Sequence, residues 1–137
     1  MKKILIVANF DVGLYNFRRE LLAELLKTYE VHIALPDGEF VPKMQQMGCV
    51  FHETKLERRG MNPLHELELL HTYRKVMKEV QPDVVIHCAA WTAVDMAEDD
   101  DKVEKVRAVN ATGTENIALV CKELNCKMVY ISTDYVF

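Results

Sequence analysis

Short apolar runs alternate with helix-period segments along the whole chain. Apolar residues recur every three or four positions between Gly13 and Thr28 and again after Pro63, which is typical of amphipathic helices. The runs between these segments are short, rich in β-branched residues and bounded by turn residues, so they predict strands. The predicted strands are 2–8, 30–35, 49–53, 82–90 and 127–132, and the predicted helices are 13–28, 41–47, one beginning at 63, and 102–124.

This strict alternation predicts an α/β fold. Parallel strands need crossover connections, and the predicted connections are helical, so we expect a doubly wound Rossmann-like domain with helices on both faces. Two strand orders are common for such sheets, 3-2-1-4-5 and 2-1-3-4-5. The third strand, 49–53, is the shortest and least apolar, which suits an edge position. The sequence therefore predicts a five-stranded parallel sheet in the order 3-2-1-4-5, within a single domain spanning residues 1–137.

Composition and charge exclude several classes of protein. The chain has 137 residues, of which 50% are hydrophobic and 28% charged, as in ordinary globular domains. No apolar run approaches the roughly 20 residues of a membrane span, so we expect no membrane contact and a cytoplasmic location. The net charge of −4 argues against a nucleic-acid partner. The four cysteines show no CxxC spacing, which favours buried, reduced thiols over disulfides or a metal site.

Charge is divided unevenly along the chain. Residues 1–81 hold 12 Lys and Arg against 11 Asp and Glu, whereas residues 82–137 hold 5 against 10. The acidic excess is concentrated in the EDDD run at 98–101, which precedes a predicted helix. A solvated helix start, favoured by the helix dipole, explains this run better than a metal site does.

Two parts of the chain resemble two different protein families. The segments KKILIVANFDVGLYNFRREL at 2–21, LPDGEFV at 35–41 and ERRGMNPL at 57–64 resemble the N-terminal domain of GT-B glycosyltransferases of the exopolysaccharide and capsule type. The segments PDVVIHCAAWTAVDMAE at 82–98, VRAVNATGTENIA at 106–118 and KMVYISTDYVF at 127–137 resemble dTDP-4-dehydrorhamnose reductase, an extended short-chain dehydrogenase. Because the two resemblances meet near residue 81, we interpret the chain as an engineered chimera of a glycosyltransferase-like fragment, 1–81, and a reductase-like fragment, 82–137.

The reductase resemblance implies a cofactor site of which only some parts are present. Such enzymes cradle the pyrophosphate in a glycine-rich turn, but here ANFDVGLYNF contains Gly13 as its only glycine, and Phe10 and Asp11 stand where small neutral residues are needed. The catalytic Tyr-x-x-x-Lys motif does not occur before the chain ends at Phe137. Residues that match the family's pattern are the vestigial cofactor-binding candidates Ala89, Ala90 and Thr133, and the structural Asn110. Thr133 matches the family's catalytic Ser/Thr position.

Other candidate residues have structural explanations. The glycosyltransferase resemblance implies that Gly13-Leu14-Tyr15 line the acceptor side of a cleft, whereas without it Gly13 lets the helix start approach the first strand. His65 and His71 are six apart on a helix, so they do not share a face as a metal-ligand pair would. Within the fourth strand, we interpret His87 as a satisfied core histidine and Cys88 as a thiol without a general base. Trp91 is expected to cover the sheet edge.

The sequence therefore favours a non-catalytic, folded chimeric domain: no enzyme, no catalytic residues, no metal and no cofactor. The alternative is a weak nucleotide- or NAD(P)-binding remnant of a reductase, using the carboxyl ends of the strands. For assembly, both a monomer and a homodimer joined through the C-terminal strand, 127–132, stay open, because that apolar strand has little of the charge that usually protects an edge.

Overall fold

A computed structural model describes residues 1–8, 10–54, 63–88 and 113–131. Strands and helices alternate throughout these ranges. The strands are β1 (Lys3–Val7), β2 (Glu30–Leu35), β3 (Val50–Glu53), β4 (Val84–His87) and β5 (Lys127–Tyr130). The helices are α1 (Asp11–Leu26), α2 (Val41–Met47), α3 (Pro63–Val80) and α4 (Gly113–Glu123). The predicted start of the last helix, 102–112, lies outside the described residues.

The five strands form one parallel sheet in the order β3-β2-β1-β4-β5, which confirms the predicted fold class and strand order. In register, Ile6 of β1 lies between Ile33 of β2 and Ile86 of β4. The strands β1 and β2 are the most deeply buried, because helices cover both of their faces. As expected from its polarity, β3 occupies one edge.

Two hydrophobic clusters hold the layers together, one on each face of the sheet. Leu5, Val7 and Val85 point from the sheet toward α3 and α4. Ile4, Ile6 and Ile33 point toward α1 and α2 on the opposite face. Because strand side chains alternate between faces, a one-residue slip in register would exchange the two clusters, so burial fixes the register.

Two of the helices, α2 and α4, end beside a residue that tolerates left-handed backbone, whereas the C-cap of α1, Lys27, stays right-handed with φ −69°. Gly48 adopts φ 119° and closes α2. Asn125 adopts φ 55° just beyond α4. These two caps turn the chain from α2 into β3 and from α4 into β5. Because all four strand pairs are parallel, the carboxyl ends of the strands lie on one edge of the sheet.

Candidate functional site

The strand order reverses at one point on this carboxyl edge. From β1 the chain proceeds outward to β2 and β3, and it then returns to the other side of β1 as β4. The described helices that come after β1 and β4, α1 and α4, pack on opposite faces of the sheet. In open parallel sheets, ligands bind in the crevice at this reversal of strand order. We therefore take the residues that follow β1, β2 and β4 as the candidate site.

The amino end of α1 lies at this crevice. Phe10 occupies the N-cap position with extended backbone (φ −142°, ψ 142°), and its side chain offers no oxygen to cap the helix. The first intrahelical bond runs from the Leu14 N–H to the Phe10 carbonyl at 3.3 Å, so the amides before Leu14 precede the helical ladder. Together with the helix dipole, such amides favour an anionic group.

Space is open at Gly13 in the first turn of α1. A Cβ built on Gly13 would meet no described atom within 4 Å. The expectation that Gly13 permits close packing of the helix start against the first strand is therefore wrong. The expectation for Leu14 is wrong as well, because its side chain is buried in the core rather than in a cleft.

Asp11 connects the turn after β1 to the loop after β2. Its Oδ2 accepts a hydrogen bond from the Phe40 backbone N–H at 2.7 Å. Gly38 lies so close that a Cβ there would overlap the Asp11 carboxylate, which explains why a residue without a side chain occupies the position. The sequence analysis treated Asp11 only as a residue that stands where a small neutral one is needed. It missed this bond because the partners are 29 residues apart.

Two aromatic rings and a lysine add further contacts between α1 and the loop after β2. The Tyr15 ring stacks on Phe40 with the ring centroids 5.2 Å apart. The Lys43 ammonium lies 4.8 Å from the Phe40 centroid and 5.6 Å from that of Tyr15. These are cation–π distances, and they hold the β2–α2 loop against α1.

Asp37 is a candidate site residue that the sequence analysis did not single out. It is exposed, it comes two residues after β2, and its Oδ1 accepts a hydrogen bond from the Gly38 N–H at 2.9 Å. In dinucleotide-binding folds, an acidic side chain at the end of the second strand hydrogen-bonds the adenosine ribose. The signal that could have found it is its position after β2, about 20 residues beyond the first turn.

A buried histidine and a half-buried cysteine lie at the end of β4. His87 is 1% exposed and stacks on Tyr130 with the centroids 5.4 Å apart. Among the described residues neither ring nitrogen of His87 has a partner, so the prediction of a satisfied core histidine is wrong in that respect. Burial raises the pKa of the Cys88 thiol, and the neighbouring Arg18 guanidinium opposes that rise by hydrogen bonding and charge.

Several predicted site residues lie outside the described part of the chain. These are Ala89, Ala90, Asn110 and Thr133, together with Trp91, the acidic run 98–101 and the side chain of His65. His71 is described, and it is exposed on α3.

A separate groove of about 350 Å³ lies on the outer surface of α3, away from the carboxyl edge. It is lined by His71, Arg74, Lys75, Lys78 and Glu79. Since α3 leads through Asp83 into the start of β4, this groove belongs to the amino end of the sheet and brings no residue to the candidate site.

The described ranges contain no group of three or more His, Cys, Asp or Glu side chains placed to hold a metal ion. In the same ranges, no helix combines the length and the apolar character needed to cross a membrane.

The fold and the crevice define a Rossmann-type α/β domain. Comparison with solved structures agrees: a UDP-glucose 4-epimerase from Stenotrophomonas maltophila, determined with bound NAD, superposes with a TM-score of 0.71 at 16% identity. That superposition covers 98% of this chain and 38% of the epimerase, and at this identity it shows the fold alone.

The sequence comparisons identify the family. The profile of the RmlD substrate binding domain matches residues 43–137, and the chain belongs to that family. A dTDP-4-dehydrorhamnose reductase from Mycolicibacterium smegmatis is 53% identical over 55 residues, which are 40% of this chain and 16% of the reductase. The crystal structure of dTDP-4-dehydrorhamnose reductase from Bacillus anthracis, in complex with NADP, is 26% identical, with a TM-score of 0.56. That alignment covers 100% of this chain and 38% of the other.

These findings correct the functional interpretation of the sequence. The family match crosses residue 81, where the chimera hypothesis placed a junction, and the Bacillus anthracis reductase aligns with the whole chain, so neither finding supports a glycosyltransferase half. The prediction of a non-catalytic engineered domain that belongs to no enzyme is wrong, because the relatives are reductases. The missing Tyr-x-x-x-Lys motif carries no weight, since the chain spans only 16% of the Mycolicibacterium smegmatis reductase.

Proposed function

We propose that this chain forms the dinucleotide-binding part of an NAD(P)-dependent reductase that acts on a dTDP-linked 4-keto sugar. The observation that carries the proposal is the amino end of α1, with open space at Gly13, at the reversal of strand order beside β1. Membership of the RmlD family and the printed activity of the relatives support the substrate class.

Two loops among the described residues bind different parts of the cofactor. The first-turn amides of α1, around Val12 and Gly13, bind the pyrophosphate through N–H groups and the helix dipole. The Asp37 carboxylate accepts hydrogen bonds from the adenosine ribose. Asp11 holds the two loops at a fixed separation through the Phe40 N–H. The carboxylate of Asp11 adds a repulsive charge beside the pyrophosphate, and for that reason we expect weak affinity.

The remaining candidates follow β4 and β5 in the sequence. Ala89 and Ala90 come directly after Cys88, and we propose that their small side chains let the dinucleotide pass close to the backbone. Thr133 follows Ile131 by two residues, and we propose that its hydroxyl contacts the bound cofactor or the substrate carbonyl. The bound nicotinamide supplies the hydride that reduces the keto group.

An acidic residue at the ribose position has a consequence for cofactor choice. The Asp37 carboxylate repels the 2′-phosphate of NADPH but hydrogen-bonds the free 2′-hydroxyl of NADH. We therefore expect this chain to prefer NADH. Replacing Asp37 by Ser is expected to remove most of the preference, measured as the ratio of the two dissociation constants.

Titration of the chain with NADH, followed by the fluorescence of the reduced nicotinamide, tests the proposal. We expect saturable binding with a Kd on the order of 1 mM, or about 4 kcal/mol. Gly13→Leu fills the open space in the first turn of α1 and is expected to abolish binding. Phe17→Leu is the matched control, because Phe17 lies on the same helix and is 76% exposed.

Binding that is equal in wild type, Gly13→Leu and Phe17→Leu places the ligand elsewhere and contradicts the proposal. A cytoplasmic location, no nucleic-acid partner, and assembly as a monomer or as a homodimer through β5 stay predictions that accompany it.

A further inference from the structure

The turn between α4 and β5 brings two cysteines together. Asn125 adopts left-handed backbone with φ 55°. The Asn125 N–H donates to the Lys122 carbonyl at 3.2 Å, and the Cys126 N–H donates to the Cys121 carbonyl at 2.9 Å. This pair of bonds is the Schellman motif, in which the side chains of the first and last residues pack against each other. Here both of those residues are cysteines.

The surroundings of the two thiols differ. Cys121 is 3% exposed and packs in the cluster between the sheet and α3, whereas Cys126 is only partly buried at the start of β5. Cys126 packs against the same cluster that contains Cys121. Burial raises the pKa of Cys121 to about 12, and the neighbouring Cys126 thiol contributes to the rise. Cys126 is thus the more accessible of the two thiols, and Cys121 is the buried one.

The same motif ends α2, where it provides an internal comparison. Gly48 adopts the left-handed backbone, and the Cys49 N–H donates to the Met44 carbonyl at 3.1 Å. Cys49 therefore occupies the position that Cys126 has in the other turn. Its counterpart across the motif is a thioether, which cannot form a disulfide.

We propose that Cys121 and Cys126 form a thiol–disulfide exchange site that reacts with small-molecule disulfides of the glutathione class. This goes beyond the proposed function, because it does not depend on nucleotide binding. The Cys126 thiolate attacks one sulfur of the small disulfide, forms a mixed disulfide and displaces one small thiolate. The Cys121 thiolate then attacks the Cys126 sulfur, closes the Cys121–Cys126 bond and displaces the second.

The two steps balance. The protein loses two hydrogens as protons, which the two displaced thiolates take up. The protein dithiol is oxidised by two electrons, and the small disulfide is reduced by the same two. Since only the thiolate attacks, the second step is expected to be the slower one and to accelerate about tenfold for each unit rise in pH below the pKa of Cys121.

Oxidised glutathione, added to the full chain in native buffer, tests the site. Intact-mass spectrometry is expected to show a transient adduct of one glutathione, followed by a product lighter than the starting protein by two hydrogen atoms. Peptide mapping is expected to locate the new bond between Cys121 and Cys126, with Cys49 still reduced. Circular dichroism before and after the reaction checks that the fold is retained.

Single variants separate the two roles. Cys121→Ser is expected to trap the glutathione adduct on Cys126, and Cys126→Ser to leave Cys121 unmodified. If Cys121→Ser fails to fold by circular dichroism, Cys121→Ala serves the same purpose. Cys49→Ser is the control, and it is expected to react as wild type does. A stable adduct on Cys126 of the wild-type chain, a disulfide to any other cysteine, or no reaction overturns the proposal.

Discussion

His87 makes the stability of this domain depend on pH. The side chain is 1% exposed, its ring stacks on Tyr130, and neither nitrogen has a partner among the described residues. Burial lowers the pKa of His87 from its usual 6.5 to about 4. Between these two values the unfolded chain binds a proton at this position and the folded chain does not.

The size of the effect follows from the two pKa values. They differ by about 2.5, and one whole step corresponds to about 1.4 kcal/mol, so the full effect is about 3 kcal/mol. Because the unfolded state holds more protons in this window, stability rises with pH. The free energy of unfolding is therefore expected to fall by about 3 kcal/mol as the pH drops from about 6.5 to about 4 through His87 alone.

The variant His87→Phe removes the titrating group and keeps a ring against Tyr130. A larger ring costs about 1–3 kcal/mol in a packed core, but it costs this at every pH. Urea unfolding followed by circular dichroism, at pH 7 and at pH 4.5 or nearby, separates the two effects. The loss of stability between the two pH values is expected to be clearly smaller in His87→Phe than in wild type.

His71→Gln is the control, because His71 is exposed and its side chain is in water before and after unfolding. It is expected to keep the wild-type pH dependence. If His87→Phe loses as much stability as wild type on acidification, the buried, neutral His87 is refuted as the source of the effect.

Three further predictions concern two glycines near the candidate site and the strand β5 at the edge of the described sheet. Gly13→Ala is expected to stabilise α1 by about 1 kcal/mol, since alanine is the better helix former and the added Cβ meets open space; a lower melting temperature would contradict this. Gly38→Ala is expected to destabilise the chain by about 1–3 kcal/mol, because the new Cβ displaces the Asp11 carboxylate from the Phe40 N–H, and urea unfolding measures the loss. For assembly, light scattering of these 137 residues across a concentration series separates the two alternatives: a mass that rises with concentration and returns to the monomer value in Val129→Lys supports a homodimer through β5, where Val129 is 49% exposed at the edge of the described sheet, and a constant monomer mass contradicts it.

The fold was accessible from the sequence because its signals are local. Each strand is a short apolar run, each helix shows its own periodicity, and Gly48 marks a helix end without reference to the rest of the chain. Strand order also followed, since the polarity of 49–53 favours an edge position. These signals were mutually consistent, so little tertiary information was needed.

The site was less accessible because its contacts are long-range. The bond from Asp11 to the Phe40 N–H and the exclusion of a side chain at Gly38 depend on two loops meeting in space. Likewise, a buried position for His87 followed from its apolar strand, whereas the absence of a described partner for its ring did not.

The functional interpretation was wrong for a different reason. Alternating strands and helices occur in glycosyltransferases and in dehydrogenases alike, so the pattern of residues 1–81 could not decide between them. The motifs missing from 137 residues were then taken to mean that the activity was missing. The segment that matches the Mycolicibacterium smegmatis reductase is 53% identical over 55 residues and covers 16% of that reductase, so most of the reductase lies outside the comparison.

The most direct test of a dinucleotide site at the reversal of strand order is residue-by-residue detection of binding. Amide chemical shifts of the ¹⁵N-labelled chain, recorded during a titration with NADH, report where the ligand lies. The largest changes are expected at Val12 and Gly13 in the first turn of α1 and at Asp37 after β2. Changes centred on Lys75 and Lys78 in the α3 groove, or no changes at all, would contradict the assignment.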